Sequence, residues 1–182
     1  MKVISGKYKG KVLKGFDIVG TRPTMDRVKE SLFAILQDYI KDSTILDLYS
    51  GTGNLAIESL SNGSIKAYLV DNNKISIKII NENINSLNIS SAYVIYSNAK
   101  DALNNFILNK NVFDIIFLDP PYQTNELNNS LNIINNNINL LSSNGIIVCE
   151  TNINIDYSLY NNLYIYKQRK YSDKIVTMLK RK

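Results

Sequence analysis

Asp119-Pro120-Pro121-Tyr122 brings together a carboxylate, a rigid turn and an aromatic ring. Two successive prolines stiffen the backbone and carry no N–H groups. The Asp119 carboxylate and the Pro120 carbonyl can then aim two acceptors at one amino group, while Tyr122 offers a ring on which a planar base can stack. The bland alternative is a rigid strand-to-helix turn with no chemistry. A second group is Ile45–Gly53, read Ile-Leu-Asp-Leu-Tyr-Ser-Gly-Thr-Gly. Its apolar start carries Asp47 near the end, and Ser50-Gly51-Thr52-Gly53 makes a tight turn before a short helix over Asn54–Asn62. Strand, glycine turn and helix open a nucleotide-binding βαβ unit. Glycine takes the unusual dihedrals and lets a ligand approach the backbone. The helix start adds free N–H groups. Asp71 ends the next apolar run, Ala67–Val70, where a carboxylate can accept both hydroxyls of a ribose.

The rest of the chain alternates strands with helices. Apolar runs predict strands at Ile45–Leu48, Ala67–Val70, Ala92–Tyr96, Phe113–Leu118 and Gly145–Glu150. Helical spacing predicts helices from Met25, over Asn72–Leu87, Lys100–Leu108 and Glu126–Leu141. Thr24 is expected to cap the first, after Pro23 disfavours helix at Arg22. The pattern implies a largely parallel sheet covered on both faces. Leu163–Gln168 and Lys174–Leu179 have too short a linker for a crossover, so they should close the sheet antiparallel. Ligands of such a sheet bind beyond the carboxyl ends of its strands. Asp47–Gly53, Asp71, Asn98-Ala99 and Asp119–Tyr122 follow four successive strands and should line one rim. The many asparagines, as in Asn132–Asn139, read as a compositional bias on exposed helix faces.

Residues 1–20 read as a basic hairpin extension and residues 21–182 as the main domain. The hairpin, Lys2–Lys14, carries lysines at positions 2, 7, 9, 11 and 14 around Tyr8. It is either a solvated edge protected by charge or a phosphate-binding ribbon. Arg22 and Arg27 flank the next turn without a core role. The formal charge of +5 favours a polyanionic partner. A single cysteine and no histidine rule out an internal disulfide, a Cys/His zinc site, and Ser-His-Asp or Cys-His catalysis. No signal peptide or membrane-length apolar run is apparent, so a cytoplasmic protein with no membrane association is expected.

These residues resemble a known family. Asp119-Pro-Pro-Tyr122 is similar to the signature of methyltransferases acting on exocyclic amino groups of bases. Asp47-Leu-Tyr-Ser-Gly-Thr-Gly53 resembles the S-adenosylmethionine loop of Rossmann-like methyltransferases. Arg22-Pro-Thr-Met-Asp-Arg-Val-Lys-Glu-Ser-Leu-Phe33 resembles the entry helix of the RsmD family, bacterial 16S ribosomal RNA guanine-N2 methyltransferases. The likeness runs nearly end to end, from Ile4-Ser-Gly6 and Lys9-Gly-Lys11 to Lys170-Tyr-Ser-Asp-Lys174. Tyr49-Ser50 replaces a more usual Phe-Ala, and Ser172 stands where glycine is common.

The resemblance implies a class I methyltransferase fold: a mostly parallel sheet of about seven strands with an antiparallel C-terminal strand, plus the small N-terminal β-hairpin. It implies S-adenosylmethionine as cofactor, S-adenosylhomocysteine as product, and no metal. Gly51 and Gly53 would approach the methionine part, oriented by Asp47, with Tyr49 and Ser50 on the rim. Asp71, with Asn72 beside it, would hold the ribose, and Asn98 and Ala99 would meet the adenine. Asp119, Pro120, Pro121 and Tyr122 would hold the target base, guanine 966 in ribosomal numbering. Lys7, Lys9, Lys11, Arg22, Thr24 and Arg27 would contact RNA. The expected partner is 16S ribosomal RNA or a small-subunit assembly particle, met by a monomer. Three rivals stand beside this reading. Asp-Pro-Pro-Tyr serves an adenine N6 amine in DNA or RNA equally well. Gly51-Thr-Gly-Asn-Leu-Ala56 formally matches the G-x-G-x-x-A of an NAD(P)-binding protein. A non-catalytic RNA-binding or assembly factor is the third.

Overall fold

The computed structural model describes residues 1–16, 23–122, 124–171 and 174–182, and of residues 23–26 the backbone alone. In chain order the elements are α1 (Pro23–Ile40), β1 (Thr44–Asp47), α2 (Asn54–Ser61), β2 (Lys66–Asp71) and α3 (Lys74–Ser86). They continue with β3 (Ala92–Tyr96), α4 (Ala99–Leu108), β4 (Phe113–Leu118), α5 (Glu126–Asn136), β5 (Leu141–Thr151), β6 (Leu163–Lys170) and β7 (Ile175–Arg181). The seven strands form one sheet in the order β3-β2-β1-β4-β5-β7-β6. The first five are parallel, and β7 pairs antiparallel with both β5 and β6. This is the expected Rossmann-like methyltransferase architecture.

Strand alternation sends each strand's side chains to two separate cores. Ile45, Leu69, Ile115, Phe117 and Val148 pack under α1, α2 and α3. Leu46, Val70, Ile116, Leu118 and Cys149 pack under α4 and α5. The chain runs outward from β1 to β2 and β3, then returns to place β4 on the other side of β1. Strand order therefore reverses between β1 and β4, which opens a crevice above their carboxyl ends. Asp47 and Asp119 stand at that crevice, because β1 and β4 are in register with Asp47 opposite Phe117.

Several boundaries differ from the sequence reading. Helix α1 begins at Pro23, not Met25, so Thr24 lies within the helix and does not cap it. Proline is at home in the first turn, where its missing N–H is not needed. Asn73 caps α3 by accepting from the Ile75 N–H, which moves the start of α3 to Lys74. Helix α5 stops at Asn136, and a 3-10 turn over Ile138–Leu140 leads into β5.

The N-terminal segment is a short, irregular hairpin, in which the Val3 N–H donates to the Lys11 carbonyl, the Leu13 N–H to Met1 and the Gly10 N–H to Val3. It has a single antiparallel bridge, Lys2 to Val12, and a 3-10 turn over Gly6–Tyr8. The Ile4 and Ser5 N–H groups bond the Glu58 carboxylate of α2 instead of a partner strand. Val3 and Leu13 are buried in the core under α1. The asparagine reading also needs correction. Asn83 and Asn135 are buried. Asn83 accepts from the Lys14 N–H and donates to the Lys14 and Thr52 carbonyls. Asn135 accepts from the Asn162 N–H. Among the described residues no helix is long and apolar enough to cross a membrane.

Candidate active site

The carboxyl ends of the parallel strands border two adjoining chambers. One, of about 850 Å³, runs from Asp71, Asn72 and Asn98-Ala99 to Asp119, Pro120, Pro121 and Tyr122. The other, of about 580 Å³, lies between Asp47, Ser50 and Gly51 and the chain's N-terminus and α1. Tyr49, Gly51, Asp119, Glu150 and Lys174 border both chambers. Volumes of this size suit a nucleoside-sized ligand with room beside it.

The loop after β1 is held from below and from the side. The Ser50 hydroxyl donates to the Asp47 carbonyl at 2.6 Å, and the Ser50 N–H donates to the Val70 carbonyl. Gly51 has φ +54°, and among the described residues a Cβ there would meet nothing closer than the Phe16 ring at 3.9 Å. Its backbone faces open space, as close approach by a ligand requires. Gly53 does not. A Cβ on it would lie 3.0 Å from Leu69 Cδ2, with Ile57 and Ile80 just beyond. Gly53 is buried toward the core, and its φ of +79° turns the chain into α2. Of the two glycines expected to face a ligand, Gly51 borders both chambers and Gly53 packs toward the core.

The carboxylates differ in surroundings. Asp71 accepts from the Gly51 N–H and the Asn73 N–H, each at 2.8 Å, one on each oxygen. Each oxygen keeps acceptor capacity facing the larger chamber. Asp47 is 2% exposed and accepts a long bond, 3.3 Å, from the Ala56 N–H. Burial drives its pKa up to about 7, the Ala56 N–H opposes this and the Asp71 charge adds to it. Burial raises Asp119 further, to about 8, with Glu150 reinforcing the rise and Lys174 opposing it. Asn98 is spent differently from expectation. Its side-chain oxygen caps α4 by accepting from the Asp101 N–H, and its amide donates to the Asp101 carboxylate. Its amide keeps a second N–H and a second lone pair at the border of the larger chamber, beside the buried Ala99.

Tyr122 is 41% exposed, and its hydroxyl donates to Glu150 Oε1 at 3.1 Å. The same carboxylate oxygen is paired with the Lys174 ammonium. Burial works against the Lys174 charge, yet its hydrogen bond and charge pairing with Glu150 keep its pKa above the ordinary lysine value. Tyr49 bonds Ser130 Oγ at 2.8 Å, which ties the loop after β1 to α5. Glu150 and Lys174 were not picked out from the sequence as site residues. Glu150 ends β5, so the rule that selected Asp47, Asp71 and Asp119 applies to it as well. Lys174 precedes β7, and only that strand's reversed direction brings its start to the rim.

Of the proposed RNA contacts, Lys7, Lys9, Lys11 and Arg27 are exposed. Lys7 sits over the Tyr8 ring at 5.2 Å. Arg22 lies outside the described residues, as does the side chain of Thr24. The segment bearing the lysines borders the smaller chamber through Met1, Lys2 and Val12. Among the described residues, no group of three or more His, Cys, Asp or Glu side chains is placed to hold a metal ion.

The model of the family described as "Conserved hypothetical protein 95" matches residues 1–180. "Putative rRNA methyltransferase YlbH" of Bacillus subtilis is 38% identical over 74% of this chain and 73% of its own length. "Ribosomal RNA small subunit methyltransferase D" of Escherichia coli strain K12 is 32% identical over 90% of this chain and 77% of its own. The solved structure of "Putative methyltransferase yhhF from Escherichia coli" superposes with a TM-score of 0.87 at 27% identity, covering 100% of this chain and 98% of that one.

Proposed function

The chain belongs to the RsmD family, the family described as Conserved hypothetical protein 95, and from that premise we propose that it methylates the exocyclic N2 amine of a guanine in 16S ribosomal RNA. The family resemblance implies guanine 966. The observation that carries the reading is the Asp119–Tyr122 turn standing across one cavity from Gly51 and Asp71. S-adenosylmethionine fits this cavity. Asp71 presents two oxygens for ribose hydroxyls, Gly51 leaves its backbone open, and Ala99 forms an apolar wall. When bound, the cofactor supplies a methyl group already activated on sulfonium, so no nucleophilic side chain of the protein is required.

The residues do the rest by placement. The guanine N2 lone pair is delocalised into the ring and is a poor nucleophile. Asp119 and the Pro120 carbonyl accept from its N–H groups, localise the lone pair and stabilise the positive charge that develops on nitrogen. In-line positioning contributes further. A carboxyl group with a pKa near 8 is also a suitable acceptor for the proton that the methylated amine must lose. Glu150 and Lys174 hold the Tyr122 hydroxyl and so set the ring against which the base stacks. The base must leave its RNA stack to reach this turn.

The test is single-turnover methylation of 16S ribosomal RNA and of small-subunit particles, with the product nucleoside identified by mass spectrometry. N2-methylguanosine is expected. N6-methyladenosine would move the target to the adenine amine, and transfer to neither substrate would overturn the reading.

A further inference from the structure

Strand β6 is the outer strand of the sheet beyond β7, and among the described residues no other strand pairs with its free edge. Its residues divide by face according to their partners. Tyr164 lies opposite Lys180, Lys167 opposite Met178 and Arg169 opposite Val176. Met178 and Val176 belong to the core under α1, so their partners share that face of the sheet. A register shift between Ile165 and Lys167 inserts an extra residue, Tyr166. The Tyr166 ring meets Tyr39 of α1 edge-on at 6.4 Å, so it faces the same side. The bulge thus sets Tyr164, Tyr166, Lys167 and Arg169 on one side of the strand. The Lys180 ammonium sits 4.6 Å from the Tyr39 ring and 4.7 Å from the Tyr166 ring.

Protection of an open edge explains the lysine, the arginine and the bulge. It does not explain two tyrosine rings left 43% and 45% exposed beside them. Nor does it explain the charge pattern. Leu163–Tyr171 and Lys174–Lys182 contain no Asp or Glu. The acids nearest in sequence are Asp173, in the linker between the two strands and outside the described residues, and Asp38, beside Tyr39 on α1. A second copy of this chain would bring like charges against like charges and meet a bulged edge. A single-stranded nucleic acid suits both features, phosphates on the cations and bases on the rings.

Strand β6 is antiparallel to β7, and β7 to β5, so β6 runs in the direction of β5. Its Lys170 end therefore lies at the rim where Lys174 borders both chambers. Eight residues extend about 25 Å along the sheet edge. We propose that the α1-side face of β6, with Tyr164, Tyr166, Lys167, Arg169 and Lys180, is a second RNA-docking surface that holds single-stranded RNA leading to the active-site rim. It is separate from the lysine-rich N-terminal segment, and it rests on the reading of the chain as an RNA methyltransferase.

The test uses the full chain and transcribed 16S ribosomal RNA, with affinity measured across a salt series. The variant Tyr164→Ala/Tyr166→Ala is expected to bind about tenfold or more weakly, the scale of one lost base stack. Lys167→Gln/Arg169→Gln is expected to reduce the slope of log affinity against log salt by about 1 to 2. Both should raise KM for RNA while leaving kcat at saturating RNA and calorimetric S-adenosylmethionine affinity at wild-type values. The charge variant alters one half-buried and one exposed side chain and leaves both rings in place, so it keeps the test decisive if the tyrosine variant does not fold. Wild-type affinity and slope in a folded charge variant would overturn the proposal. So would a wild-type dimer that the variants convert to monomer without loss of RNA affinity, which would make the face a self-interface. If wild-type protein neither binds nor methylates 16S RNA, the methyltransferase reading fails first and this surface fails with it. Methylation with unaffected variants removes the surface alone.

Discussion

Asp119 and Asp47 are both carboxyl groups raised by burial, yet they predict different pH behaviour. Asp119 is proposed to accept from the substrate amine, so its ionised form is the competent one. With a pKa near 8, kcat/KM for RNA should fall as pH drops from about 8 toward 6. Asp119→Asn should lose that limb and keep part of the activity, since an amide oxygen still accepts. Asp119→Ala should lower turnover by about one to three powers of ten, with cofactor affinity nearly unchanged. Turnover at the wild-type rate would remove Asp119 from the chemistry. Tyr122→Phe keeps the ring but frees it from Glu150, so a small loss is expected, against a large one for Tyr122→Ala. Asp47 bears on stability. Its folded pKa, about 7, lies above its ordinary 3.8, so the folded protein holds an extra proton between those values. That contribution to stability is full at low pH and is lost as pH rises through 7. Asp47→Asn should therefore gain on wild type between pH 5 and pH 8 in urea unfolding, and a constant difference would reject the assignment. At this scale the sequence told which residue types stand at the strand ends, and Asp119, Asp71 and Gly51 follow from that. It did not tell what each atom is already bonded to, which is why Asn98 proves to be a helix cap and Gly53 a core contact.

At the scale of elements, the N-terminal segment is fastened to α2 and α1 by a buried ion pair. Glu58 is fully buried and Lys29 is 4% exposed. Lys29 Nζ lies 3.0 Å from Glu58 Oε2 and donates to the Lys2 carbonyl at 2.7 Å. Glu58 also accepts from Ile4, Ser5 and the Ser5 hydroxyl. Glu58→Ala leaves the Lys29 charge and two N–H groups without their partner, so a loss of about 3–5 kcal/mol in unfolding stability is expected. A loss under about 1 kcal/mol would mean that the segment is not clamped in solution. Gly6 gives an independent probe of the same contact. It has φ +75°, and a Cβ would lie 1.9 Å from the Ser61 carbonyl oxygen. Gly6→Ala should lift the turn off α2, and amide exchange at Ile4, Ser5 and Tyr8 should accelerate while exchange in β1 and β4 is retained. Lys29 carries a sequence signal that went unused: it falls beside Val28 and three residues before Leu32, on the apolar stripe of α1. A charge on such a stripe needs a buried partner. That the partner is Glu58 was not legible, because the pairing depends on how α1 crosses α2. How the N-terminal hairpin is fastened was not legible for the same kind of reason. Alternation in Lys2–Lys14 shows in the Lys2–Val12 pairing, but tertiary bonds to Glu58, Ser61 and Asn83 hold its backbone at Ile4, Tyr8 and Lys14.

Over the whole molecule, alternation of apolar runs with helical spacing was enough to read a parallel sheet with an antiparallel end. Strand order was not readable that way, and with it the crevice between β1 and β4 that gathers the site. The same view shows how charge is distributed. Asp47, Asp71, Asp119 and Glu150 line the chambers, with Lys174 and Lys29 as buried or half-buried counter-charges. Exposed cations stand outside the chambers, among them Lys7, Lys9 and Lys11 on the N-terminal segment, packed at the Ser61 end of α2, and Arg27 near the start of α1. An acidic pocket on a molecule with basic outer surfaces lets the backbone of a polyanion be held outside while one uncharged base enters. The Lys7 ammonium over the Tyr8 ring leaves that lysine able to meet a phosphate, because a ring face is a weak partner beside an anion. The expected consequence is that affinity for 16S ribosomal RNA falls steeply with salt. Lys7→Gln/Lys9→Gln/Lys11→Gln removes three exposed charges without touching Val3, Gly6 or Leu13, which anchor the segment. If each lysine meets a phosphate of a single-stranded region, the slope of log affinity against log salt should fall by about 2. Cofactor affinity and unfolding stability should stay at their wild-type values, since none of the three side chains lines either chamber. A triple variant with the wild-type slope would assign these lysines to edge protection alone and leave RNA attraction to the remaining cations of the surface.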